Sequence, residues 1–351
     1  MSRAGILALL AAAMLWLGFA ARAQAETYWE PGAWDAYKER FISPDGRVID
    51  DGNKDISHSE GQGYGMLLAV FADDPLTFAR LWAWTSRELY VRGDDLAAWK
   101  WEPDRTPHIT DMNNASDGDI LIAWALSAAA ERWSMPALAL QARKIALGVG
   151  RHALMRTGYG VTLRPGTTGF ETFDSEDGPV INLSYWVFPA FDALHRAAPE
   201  IDWAALRKSG LVLLRASQFG PAKLPSDWIS LRQKTPAPAK NFPPQFGYNA
   251  IRIPLYLIWG GVTDAQLLKP YADLWRAAPE VRPSVINVAS GKPAEVFGDA
   301  GYRIVPALLR CALNNTPLPA EMRVVSLERY YSATIHMLSL AAARQRYRQC
   351  L

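Results

Sequence analysis

Asn113-Asn114-Ala115-Ser116-Asp117-Gly118-Asp119-Ile120-Leu121-Ile122-Ala123-Trp124-Ala125-Leu126 is the stretch whose reading decides the fold. Two acids lead into a strongly apolar run that continues to Trp133, longer than a strand and spaced as a helix. Ser116 or Asp117 can cap that helix, and Asp119 falls in its first turn. Capping explains part of the pattern. It does not explain two acids together with two preceding asparagines.

Upstream, Ser57-His58-Ser59-Glu60-Gly61-Gln62-Gly63-Tyr64-Gly65-Met66 sets another carboxyl at the start of another helix. Ser57 or Ser59 can cap it, and Glu60 suits its positive end. Three glycines in five positions suggest open space around Glu60. His58 beside the acid reads as a structural partner.

Helical spacing runs through most of the chain, and strand-like alternation is scarce. Breaks at Pro and Gly clusters place helices near 31–42, 60–72, 76–90, 117–133, 136–155, 183–197, 201–216, 246–259, 264–277, 299–314 and 326–346. No Pro/Ser-rich linker separates two cores, so one helical toroid is expected over residues 26–351. Irregular stretches at 91–116, 157–182 and 217–245 are long enough to be functional loops. In the second, Gly158-Tyr159-Gly160 and Arg164-Pro165-Gly166 mark a small hairpin.

Residues 1–25 read as a cleavable export signal: Met1-Ser2-Arg3, an apolar run from Ala4 to Ala20, then Ala23-Gln24-Ala25. No later stretch has the length of a membrane span, so a periplasmic or secreted protein without a membrane anchor is expected. The 37 basic and 35 acidic residues leave a net charge of +2, too balanced to point to nucleic acid or acidic lipid. Cys311 and Cys350 could bridge in an oxidising compartment or remain two thiols. His58, His108, His152, His195 and His336 lack ligand spacing, and no metal or other cofactor is expected. The 14 tryptophans are many. Most suit a core, but Trp99 and Trp101, in a polar segment ahead of Glu102-Pro103-Asp104, suit stacking on the flat apolar faces of sugars.

The block Ala115-Ser116-Asp117-Gly118-Asp119, with Ile122, Ala123, Ala125, Leu126, Ala129 and Trp133, resembles the pattern of glycoside hydrolase family 8. Ser127 departs from it. Ser59-Glu60-Gly61-Gln62-Gly63-Tyr64-Gly65-Met66 resembles that family's proton-donor segment. Further likenesses lie at Pro165-Gly166 with Gly169-Phe170, Asn182-Leu183-Ser184-Tyr185, Pro225-Ser226-Asp227-Trp228, Phe246-Gly247-Tyr248-Asn249-Ala250-Ile251-Arg252 and Tyr330-Tyr331-Ser332. The chain most resembles endoglucanases encoded with bacterial cellulose synthase.

That resemblance implies an all-α (α/α)6 barrel, a six-hairpin toroid whose long loops form a substrate cleft. It also implies hydrolysis of internal β-1,4-glucosidic bonds in cellulose with inversion. Glu60 is then the acid, and Asp117 the acid residue that grips or distorts the sugar. Tyr185, Tyr248, Asn249, Arg252, Trp99 and Trp101 become substrate-binding residues, and proximity to a cellulose synthase complex follows. Asn249 departs from the pattern, because related sequences carry a water-activating aspartate there and an amide cannot take that proton. Glu171, Asp174, Glu176 and Asp177 offer a replacement base or simply a solvated acidic loop. A chitosanase or xylanase on the same scaffold, or a glucan-binding protein with impaired turnover, are the alternatives.

Overall fold

The computed structural model describes residues 28–276 and 283–351, so the stretch expected to be an export signal, residues 1–25, lies outside the described residues. Eleven α-helices occur among them: α1 Ala33–Phe41, α2 Ser59–Phe71, α3 Pro75–Glu88, α4 Ser116–Trp133, α5 Pro136–His152, α6 Phe191–Ala197, α7 Trp203–Ala216, α8 Arg252–Trp259, α9 Ala265–Arg276, α10 Ile304–Asn314 and α11 Tyr330–Arg346.

Two kinds of helix alternate. α3 buries Phe78, Leu81, Trp84 and Thr85, and α5 buries Leu138, Ala142, Ile145, Ala146 and Val149. Such i, i+3/i+4 stripes bury one face and leave the other to water. By contrast α2, α4 and α11 are buried around most of their girth, and every residue of α8 is buried. These form the inside of a toroid, with the striped helices packed around them. The ring closes where α1 covers α11: the Trp29 indole donates to the Met337 carbonyl at 3.0 Å, and the Tyr37 and Thr334 hydroxyls meet at 2.7 Å.

Three expected helices change character. Residues 183–197 hold two short 3-10 turns, Leu183–Tyr185 and Phe188–Ala190, before α6 begins. Trp186 and Val187 leave helical geometry, with ψ of 83° and 74°, which breaks the run, and Pro189 sits at the start of the second turn, where its missing N–H is not needed. The stretch expected as a helix from 246 enters α8 only at Arg252, because Gln245–Phe246 pairs as a strand with Ile286 and Asn287. The helix expected to reach 155 stops at His152, and Leu154–Thr157 pairs with Gly160–Leu163 around Gly158-Tyr159.

Short strands also fix the loops at one mouth of the ring. Ser57–His58, just ahead of α2, pairs antiparallel with Lys100–Trp101. Asn113 and Asn114 both accept from the Thr167 N–H, at 3.1 and 2.8 Å, which ties the loop after the hairpin to the start of α4. The two asparagines are therefore loop anchors.

Candidate active site

The first turns of α2 and α4 meet. A Cβ at Gly118 would lie 2.1 Å from Ser59 Oγ and 2.7 Å from the Glu60 nitrogen, so only glycine permits this approach. A Cβ at Gly63 would likewise lie 2.6 Å from Leu121 Cβ. Of the three glycines expected to open space around Glu60, Gly63 instead closes α2 against α4, Gly61 lies against the Tyr330 hydroxyl and His58, and Gly65 against Val48 and Leu81. Both serines expected as caps of α2 are replaced by His58, whose Nδ1 accepts from the Gly61 N–H at 3.0 Å. Ser57 Oγ is turned to the Val48 carbonyl, 2.5 Å away. Neither Ser116 nor Asp117 caps α4.

What the contact achieves is the meeting of two carboxyls. Arg252, from the first position of α8, sends Nη1 to Glu60 Oε2 at 2.5 Å and to Asp117 Oδ2 at 3.0 Å. Its Nη2 donates to Ser184 Oγ at 3.0 Å and Asn249 Oδ1 at 3.2 Å. Glu60 keeps 17% of its side chain exposed, Asp117 only 1%. Burial, then the charge of Glu60, pushes the Asp117 carboxyl up to about 7 against the pull of Arg252. Asp117 therefore retains a proton near neutrality, and Glu60 is the member of the pair that faces the open side.

A cavity of about 330 Å³ opens over Glu60. Seven of the eight residues singled out from the sequence line it: Glu60, Asp117, Tyr185, Tyr248, Asn249, Arg252 and Trp99. Trp101 does not. Its ring stacks on His108 at 4.1 Å and carries the Arg47 guanidinium at 4.9 Å, so its faces are occupied by the protein.

The acidic loop also stays away from this cavity. Glu171 pairs with Arg164, Asp174 accepts from the backbone of Gly169 and Glu171, and Asp177 accepts from the Lys240 N–H at 2.6 Å. Asp119 accepts from the Ala97 N–H and the Asn114 amide, both at 2.8 Å, and so supports the loop before α4.

Sequence reasoning did not single out Trp228, Tyr331 or Asp50 as site residues, yet all line the cavity. Trp228 stacks on Phe242 at 4.5 Å and on Phe170 at 5.7 Å, forming an aromatic shelf beside Tyr185. It lies in one of the family-like blocks, which was the available signal. A second cavity of about 530 Å³ continues the first, sharing Asp50, Asn53, Tyr248 and Tyr331, so the opening is an elongated groove.

Residues 4–345 match the family described as glycosyl hydrolases family 8. An endoglucanase of Cellulomonas uda is 37% identical over 268 residues, covering 76% of this chain and 74% of that protein. The crystal structure of endoglucanase Cel10, a family 8 glycosyl hydrolase from Klebsiella pneumoniae, superposes with a TM-score of 0.81 at 36% identity, over 89% of this chain and 98% of that one. The endo-β-1,4-glucanase CMCax of Acetobacter xylinum gives 0.81 at 32% identity, over 90% and 98%. The helical ring with its paired carboxyls is an (α/α)6 barrel, and the chain belongs to glycoside hydrolase family 8.

Proposed function

We propose that the protein is an endo-β-1,4-glucanase that cuts cellulose chains lying along the groove. The observation that carries this is Glu60: a carboxyl facing an elongated, aromatic-lined cleft and coupled through Arg252 to a buried, proton-retaining Asp117. The groove is open and extended, as an enzyme that grips the middle of a polymer requires, and the relatives named as endoglucanases support that substrate.

Glu60 gives its proton to the bridging oxygen as the C–O bond breaks. Asp117 and Arg252 hold the acid in place, and Asp117 bears on the sugar beside the cut. Tyr185 supplies an apolar face for the rings, beside Trp228, whose own faces are stacked on Phe170 and Phe242. Asn249, its amide oxygen held by Arg252, keeps an N–H pair to donate to a sugar hydroxyl.

Glu60→Gln should abolish release of reducing ends from carboxymethylcellulose while cello-oligosaccharide binding stays within a few-fold. Undiminished turnover would remove the assignment. Parallel assays on chitosan and xylan test the sugar identity. Asn249 alone favours binding without turnover, and a large gain in kcat on Asn249→Asp would support that reading. The same proposal covers a single catalytic domain over 26–351, export to the periplasm or medium after removal of residues 1–25, and work near a cellulose synthase complex. A Cys311–Cys350 disulfide supports an oxidising compartment.

A further inference from the structure

An inverting cut needs a second carboxylate, roughly 6.5–9.5 Å from the acid, to take a proton from the attacking water. Three carboxylates line the cavity around Glu60: Asp50, Glu60 itself and Asp117. Asp117 shares a single guanidinium nitrogen with Glu60, which brings the two closer than that separation allows. Asp227 is 3% exposed and does not line the cavity. Its oxygens accept from the Gly247 and Ala250 N–H groups at 3.0 and 2.9 Å and from Gln245 at 3.3 Å. Glu295 and Asp299 line only the adjoining cavity, where Glu295 accepts from the Tyr248 hydroxyl at 2.9 Å.

We infer that Asp50 is the general base. It lies where the two cavities join, lining both, and its side chain is 13% exposed. Oδ1 accepts from the Gly52 N–H at 3.1 Å, and Oδ2 faces His58 Nε2 at 3.4 Å. The Gly61 N–H occupies His58 Nδ1, so neutral His58 carries its proton on Nε2 and donates toward Asp50. Each carboxylate oxygen is thus oriented by one donor and keeps a lone pair free.

His58 is also the spacer. Its imidazole, with hydrogen bonds of 3.0 Å to the backbone of the acid's helix and 3.4 Å to Asp50, sets the base off from the acid's helix by a ring and two hydrogen bonds. Acid and base are carried by neighbouring segments of one chain stretch, Asp50 before β-strand Ser57–His58 and Glu60 after it.

In the reaction a water oxygen bonds to the anomeric carbon while its proton passes to Asp50. The glycosidic C–O pair leaves with the departing oxygen, which takes the proton of Glu60. Asp50 then releases its proton to solvent and Glu60 recovers one, which balances the hydrolysis.

This inference rests on the proposed glucanase reading, and substrate choice separates the two. Cellopentaose needs both acid and base. A β-cellobiosyl fluoride carries a leaving group that needs no proton, so it needs the base alone. Wild type should cleave both, releasing the inverted anomer by NMR. Glu60→Gln should lose cellopentaose but keep fluoride turnover. Asp50→Asn should lose both, by on the order of 10²- to 10⁴-fold in kcat, with cellopentaose affinity retained and formate restoring turnover in Asp50→Ala. Fluoride turnover at the wild-type rate in Asp50→Asn overturns the assignment. So does its loss in Glu295→Gln with Asp50→Asn unaffected, or loss of cellopentaose binding together with turnover in Asp50→Asn. If wild type leaves cellopentaose intact, the glucanase reading itself fails.

Discussion

Arg252 is a cation with 1% of its side chain exposed, and burying a guanidinium is costly unless its donors are met. Its two terminal nitrogens face Glu60, Asp117, Tyr64, Ser184 and Asn249, a set that a lysine's point charge could not serve together. The electrostatic consequence falls on Asp117. Its carboxyl stands at about 7, against 3.8 for the free group, through burial first and the charge of Glu60 second. Between roughly pH 4 and pH 7 the folded protein therefore holds a proton that the unfolded chain has released. Stability from this group is complete below the lower value and drains away as pH rises through the upper one. Asn cannot titrate, so the unfolding free energy of Asp117→Asn relative to wild type, followed by thermal melting, should climb with pH across that window, by no more than ~4 kcal/mol in all. A difference independent of pH would show that Asp117 does not hold the proton.

At the scale of elements, the site exists because two helix starts touch. Adding a Cβ at Gly118 drives it into Ser59 and the Glu60 backbone, so Gly118→Ala must part α2 from α4 and move Glu60 away from Asp117. Overpacking of this kind costs ~1–3 kcal/mol, and the loss in kcat should exceed what the lowered melting temperature explains. Pairing it with Ser59→Gly, which removes the hydroxyl but not the backbone contact, should recover part of both. Additive losses would mean the two positions do not meet. Local signals made much of this legible: apolar periodicity gave most helices, and the acids at two helix starts marked Glu60 and Asp117. Partners distant in sequence stayed hidden. The role of Gly63 against Leu121 and the grip of Asp227 on the Gly247–Ala250 turn depend on segments that only the fold brings together, whereas His58 caps α2 from three residues away and escapes a sequence reading because histidine is not among the usual capping residues. Trp101 misled because its neighbours in sequence are polar, whereas those in space are His108, Arg47 and Trp84.

Over the whole molecule, a ring of helices holds its cleft only while its ends stay joined. The closure is α1 on α11, and the disulfide from Cys311 in α10 to Cys350, 39 residues on, then ties the tail that follows α11 back to the preceding helix. Both cysteines are fully buried, and the Leu318 N–H donates to the Cys350 carbonyl at 2.7 Å, so the tail after α11 is fastened at two adjacent points. Neither cysteine lines the groove. Restricting a loop of this length in the unfolded chain is worth about 3–4 kcal/mol in the chain-entropy account. Replacing both cysteines by serine, which leaves no lone thiol, should lower the melting temperature by several degrees while kcat and KM at low temperature stay at wild-type values. Excess dithiothreitol under partly denaturing conditions should bring the wild type to the same melting temperature. If the serine variant melts with the oxidised wild type, the bond adds nothing to stability, and burial of the tail with its Leu318–Cys350 hydrogen bond holds it in place alone.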